Sequence, residues 1–170
     1  MMMSFKKLPI WKNVQGSPGI TDFADFSLNY NCRGFIQQNT SGKILKKVYN
    51  SYAKDEYNFI TQPPGASSWA NRLGDERVDF IKGVCGSLEG NVVLEIGAGS
   101  LYIAERLVDE TGIDEYLIMD PAIKHTTKNS KIHVFREYFE NTSCVDKKVN
   151  VVICLSCLEH VQDPFVFLIH

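Results

Sequence analysis

The apolar positions of this chain change their period part-way along it. Residues 1 to about 42 show no regular repeat. Pro9, Gly16, Pro18, Gly34 and Gly42 interrupt them, and Phe5, Trp11, Phe23, Phe26, Tyr30 and Phe35 are scattered between. This predicts an irregular extension packed on something, because so many aromatics are costly to leave in water. From Lys43 to Phe59, Ile44, Leu45, Val48, Tyr49, Tyr52 and Ala53 follow helical spacing, and Pro63-Pro64-Gly65 stops that helix. A second helix is predicted over about 68–84, with Trp69, Leu73, Val78, Phe80 and Ile81 as its apolar members.

The pattern then switches to short β-branched runs. Val92-Val93-Leu94-Glu95-Ile96 lies between Gly90 and Gly97, which marks a buried strand. Ser100 is placed to cap the next helix, whose inner stripe is Leu101, Ala104, Leu107 and Val108, and Gly112 ends it. Further strands are predicted at Tyr116–Met119, Lys131–Phe135 and Val149–Leu155. Pro164 sits at the first turn of a last helix. Strands alternating with helices predict an α/β fold: a Rossmann-like, doubly wound, mostly parallel sheet with right-handed crossovers. A helical or irregular extension precedes it. The link from Pro121 to Ser130 has room for only one or two helical turns. The reading divides the chain into an extension at 1–67, a candidate lid, and a sheet domain at 68–170.

Composition narrows the functional classes. The 170 residues are 44% hydrophobic and 22% charged, an ordinary globular balance. The formal net charge is -2, and no basic stripe alternates with aromatics, so no nucleic-acid partner is expected. Lys43, Lys46 and Lys47 read as a solvated helix face. No apolar run follows Lys6-Lys7, and none approaches a spanning helix. Five cysteines without paired spacing fit reduced thiols, so the expected setting is cytoplasmic, away from membranes.

The chemistry concentrates around the first strand. Gly97 and Gly99 follow it directly and precede a helix, where ligands bind a doubly wound sheet. Glu95 places a carboxylate at the end of that apolar strand, a costly position unless it meets a cation or donors. Asp120 ends the second strand, where a carboxylate typically binds ribose hydroxyls.

Three segments together resemble class I S-adenosylmethionine-dependent methyltransferases. Val93-Leu94-Glu95-Ile96-Gly97-Ala98-Gly99 is similar to their first motif, and Ile118-Met119-Asp120-Pro121 to their second. Val151-Val152-Ile153-Cys154 followed by Leu158-Glu159-His160-Val161-Gln162-Asp163-Pro164 resembles the strand and "LEHVxDP" segment of the small-molecule branch. The resemblance covers about residues 75 to 170. It implies S-adenosyl-L-methionine as cofactor, with Gly97, Ala98 and Gly99 under its methionine part and Glu95 organising its amino group. It implies that Asp120, followed by Pro121, binds the ribose, that Glu137 is the nearest candidate by the adenine, and that Leu155, Ser156 and Cys157 line the pocket by the sulfonium. His160 would lie near the mouth, where it could act as a base or only bond nearby backbone. The implied acceptor is a small molecule, a sugar or other metabolite, and no metal is implied. The chain departs from the family at Leu101, often glycine, and at Asn150, often aspartate.

Two other functions share these features. A nicotinamide-dependent oxidoreductase has the same strand, turn and distal acid, but its third glycine would fall on Tyr102. A non-catalytic module of the same fold is the other. Cys154-Leu155-Ser156-Cys157 has redox spacing, yet its first cysteine continues an apolar run, so coincidence is the favoured reading. The family's seven strands exceed the four found. The fourth would then be an apolar edge, which predicts a missing C-terminal segment or an oligomeric partner to cover it.

Overall fold

The computed structural model describes residues 2–12, 19–30, 67–141, 148–161 and 163–169, with 32, 34, 36–39, 41–44, 46 and 50 between. It divides into two compact units, 1–57 and 58–170.

The first unit corrects the expectation of an irregular extension. β1 (Met2–Lys12) pairs antiparallel with β2 (Gly19–Tyr30), and β2 with β3 (Ile36–Asn39). The alternation was hidden because the ladder slips between Phe5 and Leu8 and again between Ile10 and Trp11. Such bulges put two residues opposite one and break the period of two. At the first slip Lys7 takes a φ of 53°. The Asp25 carboxylate meets both residues there, accepting from Lys6 Nζ at 2.9 Å and from the Lys7 N–H at 3.1 Å. Phe5 and Phe26 pair across the strands with ring centroids 5.4 Å apart. Positions 42–44, 46 and 50 are helical. The rest of the helix predicted over 43–59, with the lid candidates Tyr49, Tyr52 and Tyr57, lies outside the described residues.

The second unit is the α/β fold that the alternating pattern predicts. α1 (Ser68–Cys85) starts where Ser67 Oγ accepts the Ala70 N–H at 3.1 Å. β4 (Val92–Ile96), β5 (Glu115–Met119), β6 (Ile132–Phe135) and β7 (Val151–Ile153) form one parallel sheet in the order β6-β5-β4-β7. α2 (Tyr102–Thr111) links β4 to β5, and α3 (Pro164–Ile169) follows β7.

Strand alternation sends side chains to both faces of this sheet, and helices cover each. Val93, Tyr116, Ile118 and Ile153 pack with Val78 and Ile81 of α1 and Ala104 and Leu107 of α2. Leu94, Ile96, Leu117 and Met119 pack with Phe167 of α3. Only part of the predicted α1 stripe is inside: Val78 and Ile81 are buried, whereas Trp69 and Phe80 are exposed. The ring of Tyr102 fills the place of a side chain at Gly74 of α1; a Cβ there would lie 2.2 Å from Tyr102 Cε1. The Tyr102 hydroxyl and Arg106 both donate to Asp75, and Lys82 donates to Glu110 at 2.9 Å, so α1 and α2 are also tied by charge.

Three local expectations change. The link between β5 and β6 contains no helical turn. Its one deeply buried apolar side chain, Ile123, fills the core instead, and Arg136 Nε holds it by donating to the Ile123 carbonyl at 2.9 Å. Ser100 does not cap α2: Leu101 occupies that position, and Ser100 Oγ accepts the Tyr102 N–H only at 3.4 Å. β7 ends at Ile153 rather than Leu155, and among the described strands it pairs with β4 alone. Asn150 opens that ladder, its N–H donating to the Val92 carbonyl and its side-chain oxygen accepting from the Val92 N–H, each at 2.9 Å. Val152 on β7 is exposed.

Candidate cofactor-binding site

Because the four strands are parallel, the loops after them all leave from one edge of the sheet. The chain runs outward from β4 to β5 to β6 and then returns to place β7 on the other side of β4. The reversal between β4 and β7 is a topological switch point, the place along that edge where such sheets bind ligands. The four loops there carry Gly97–Gly99, Asp120–Pro121, Arg136–Glu137 and Cys154–Cys157.

The glycine turn is needed sterically. Gly97 and Gly99 take φ values of 70° and 67°, the left-handed region that side chains resist. The Gly97 N–H donates to the Met119 carbonyl at 2.9 Å. A Cβ on Gly97 would lie 2.7 Å from Cys157 Sγ and 2.8 Å from Cys157 Cβ. Gly97→Ala should therefore destabilise the fold by about 1–3 kcal/mol, combining left-handed strain with overpacking. A urea melt of the variant checks this; an unchanged midpoint would show that the turn tolerates a side chain.

Asp120 organises the same turn. Its Oδ2 accepts the Gly99 N–H at 2.6 Å and its Oδ1 the Ala122 N–H at 2.7 Å, while its own N–H donates to the Phe135 carbonyl at 3.0 Å. One residue thus ties the ends of β4, β5 and β6. Burial raises its pKa, and the backbone donors Ala122, Gly99 and Ile123 oppose the rise. Pro121 follows in a half-buried turn.

Glu95 is the second buried carboxylate, 2% exposed. Its strand neighbours explain its hydroxyl partner. Val93 pairs with Tyr116, so Glu95, two residues on, lies diagonally across from Tyr116 on the same face. The Tyr116 hydroxyl donates to Glu95 Oε2 at 2.9 Å. Desolvation dominates and raises the Glu95 pKa to about 7. The Tyr116 bond and the Arg77 charge lower it, and Asp120 raises it further.

Arg77, on α1, is the site residue that the sequence did not disclose. Its Nη2 donates to Ser156 Oγ at 3.1 Å, from α1 to the loop after β7, and its charge acts on Glu95. The only trace in sequence is its place beside Val78, the centre of the buried α1 face. Ser156 is exposed and holds a φ of 55°, strain of the kind that gathers at functional sites.

The remaining expected residues are less tightly gathered. Ala98 is buried, and Leu155 packs on the core. Glu137 is half-buried, two residues past the Phe135 carbonyl that holds Asp120. His160 is exposed in a short 3-10 turn, Leu158–His160, with Nε2 3.9 Å from Glu159 Oε1. Among the described residues no group of three or more His, Cys, Asp or Glu could hold a metal ion. None of the described helices is long and apolar enough to cross a membrane.

Known proteins resemble this chain. No family model matches it. It is 30% identical over 113 residues to a ubiquinone biosynthesis O-methyltransferase of Actinobacillus pleuropneumoniae serotype 7, a match covering 60% of this chain and 48% of that protein. The proteins of the same name from Pasteurella multocida and Haemophilus ducreyi are 28% and 30% identical over 119 and 115 residues, covering 60% of this chain and 49% and 48% of theirs. The chain thus spans about half the length of the curated relatives it matches. A chain in a solved complex of the Haloferax volcanii Trm112 methyltransferase activator is 20% identical, with a TM-score of 0.41, over 53% of this chain and 47% of that one.

Proposed function

We propose that this chain carries the cofactor half of an S-adenosylmethionine-dependent O-methyltransferase whose acceptor is a small molecule with a hydroxyl group. The observation that supports it most is the buried Asp120 carboxylate bonded to the Gly99 N–H at the sheet's switch point. The arrangement fits the cofactor's charges. The ribose presents a diol, which Asp120 would accept through both oxygens. The methionine end presents an ammonium group and a carboxylate; Glu95 would face the first and Arg77 the second. The Gly97–Gly99 turn removes the side chains that would exclude the ligand, and Glu137 is the acid nearest the adenine end.

When bound, the cofactor supplies an activated methyl group on a sulfonium, so the chain's own task is positioning and charge matching. Leu155, Ser156 and Cys157 would line the sulfonium side. His160 or Glu159 would be the base if the acceptor hydroxyl needs one. The relatives are named for O-methylation in ubiquinone biosynthesis, which moves the acceptor away from the sugar that the sequence suggested. A dinucleotide is disfavoured by Tyr102, whose ring packs at Gly74 where that fingerprint needs a small residue. A further strand beside the edge of β7 that no described strand pairs, from the same polypeptide or a second copy, would extend the sheet.

Calorimetric titration of the reduced chain with S-adenosylhomocysteine, beside NAD, tests the reading. Saturable binding of the first and none of the second is expected. A folded chain that binds NAD, or neither ligand, would overturn it for this polypeptide.

A further inference from the structure

Tyr116 carries a hydroxyl into a place where a phenylalanine would pack as well. It is the bulkiest fully buried side chain among the described residues, and the other buried members of its cluster are aliphatic. A hydroxyl there is costly without a partner, and its partner is Glu95 Oε2 at 2.9 Å. The register roots Tyr116 level with Val93, two residues further from the ligand edge than Glu95. The bond therefore ties one carboxylate oxygen back to the core. Among the described residues no hydrogen-bond donor reaches the other oxygen, Oε1. A buried acceptor left open in this way costs the fold, and a donor on a ligand would remove that cost. The charges that act on Glu95 are Arg77 on α1, which favours its ionised form, and Asp120 at the end of β5, which opposes it. β7 meets it with Ile153 in register, and α2 brings Ala104 and Leu107 to the same face.

We propose that Tyr116 is a positioning residue of the cofactor site, acting through Glu95: its hydroxyl fixes one carboxylate oxygen and leaves the other for the ammonium group of the ligand. The inference deepens the proposed cofactor reading and rests on it. Tyrosine supplies what this arrangement needs. Its proton stabilises the charged carboxylate, which burial disfavours. Burial, and then the Glu95 charge, push the tyrosine's own pKa up, so it stays the donor. Removing the hydroxyl would leave Glu95 to burial and to Asp120, opposed by Arg77, and its pKa would rise further from about 7. The ligand would then meet a neutral acid over a wider range of pH.

The test titrates the parent chain and Tyr116→Phe with S-adenosylhomocysteine at pH 6.5 and pH 9, and melts both in urea at pH 5 and pH 8. Tyr116→Phe should bind about tenfold more weakly at pH 6.5 and close to the parent at pH 9. A rise of about one pKa unit changes the charged fraction tenfold only while the pH lies below both pKa values. The ligand's own ammonium titrates alike with both proteins, so the ratio of affinities isolates Glu95. In a Glu95→Gln background the same substitution should leave affinity unchanged, since no charge remains to be set. Without ligand, the urea midpoint of Tyr116→Phe should fall further below the parent's at pH 8 than at pH 5, because the variant's carboxyl keeps its proton to a higher pH. An affinity ratio equal at both pH values would overturn the proposal and make Tyr116 a packing residue. So would a midpoint difference equal at both, or a further loss of affinity in the Glu95→Gln background. Failure of the parent itself to bind at either pH would instead remove the cofactor reading, and this role with it.

Discussion

Replacing Asp120 with alanine should weaken S-adenosylhomocysteine binding by about a hundredfold or more while leaving the chain folded. A carboxylate that accepts from both ribose hydroxyls makes two charge-assisted bonds, each worth about 1.5–3 kcal/mol in a site screened from water. Those bonds are lost together. The substitution also frees the Gly99 and Ala122 N–H groups, which now converge on the two oxygens at 2.6 and 2.7 Å. The glycine turn then loses the group that fixes its entry to α2. The fold should survive, because burial already penalises this carboxylate in its charged form, as its raised pKa records. Asp120→Asn separates the two contributions. It keeps the shape and one acceptor oxygen, so its affinity should fall between the parent and the alanine variant. Calorimetry measures the affinities, and circular dichroism checks the fold. Parent-like affinity in Asp120→Ala would remove the ribose from this residue and with it the main support for the proposed cofactor.

The parts of this fold that were legible in sequence are those where local pattern and tertiary environment agree. β4 and β5 are short β-branched or apolar runs closed by glycine or by Asp-Pro, and both are buried on two faces, so nothing interrupts the signal. Gly97, Gly99 and Asp120 were legible for the same reason, since a turn that demands positive φ and an acid at a strand end are sequence features. The antiparallel unit was not, because its bulges hide the period of two and its side chains pair across strands rather than along one. The link between β5 and β6 was legible as too short for a full crossover helix, but not as lacking even one helical turn, because a single buried Ile123 does the packing there. Arg77 and the Cys157–Gly97 contact are purely tertiary. An arginine on a helix has no signature until the helix is seen to cross the loop after β7, and the meeting of a thiol with a glycine 60 residues earlier leaves no local trace.

Glu95→Gln should stabilise the chain at pH 8 by up to about 3 kcal/mol and change little at pH 4. The buried carboxyl holds its proton up to a pH of about 7, against 4.5 for an ordinary glutamate. Between those values the folded chain binds more protons at this residue than the unfolded chain does, so stability falls as pH rises. The contribution is fully present below 4.5 and is lost as pH passes through about 7. Glutamine never ionises, can still accept the Tyr116 hydroxyl through its amide oxygen, and so escapes that loss. The same substitution should weaken S-adenosylhomocysteine binding, because the charge that burdens the empty fold is the one that would meet the ammonium group. In the parent, affinity should therefore rise with pH through about 7, with proton release on binding below it. Urea melts at the two pH values, with calorimetry in buffers of different ionisation enthalpy, read both effects. A stability difference independent of pH would mean that Glu95 does not titrate in the fold. A difference that does depend on pH, with ligand affinity unmoved, would leave a buried carboxylate costly to the fold and without a ligand to explain it. The full pattern, stability gained and affinity lost in one variant, is the trade expected where a buried charge is kept for a cationic ligand.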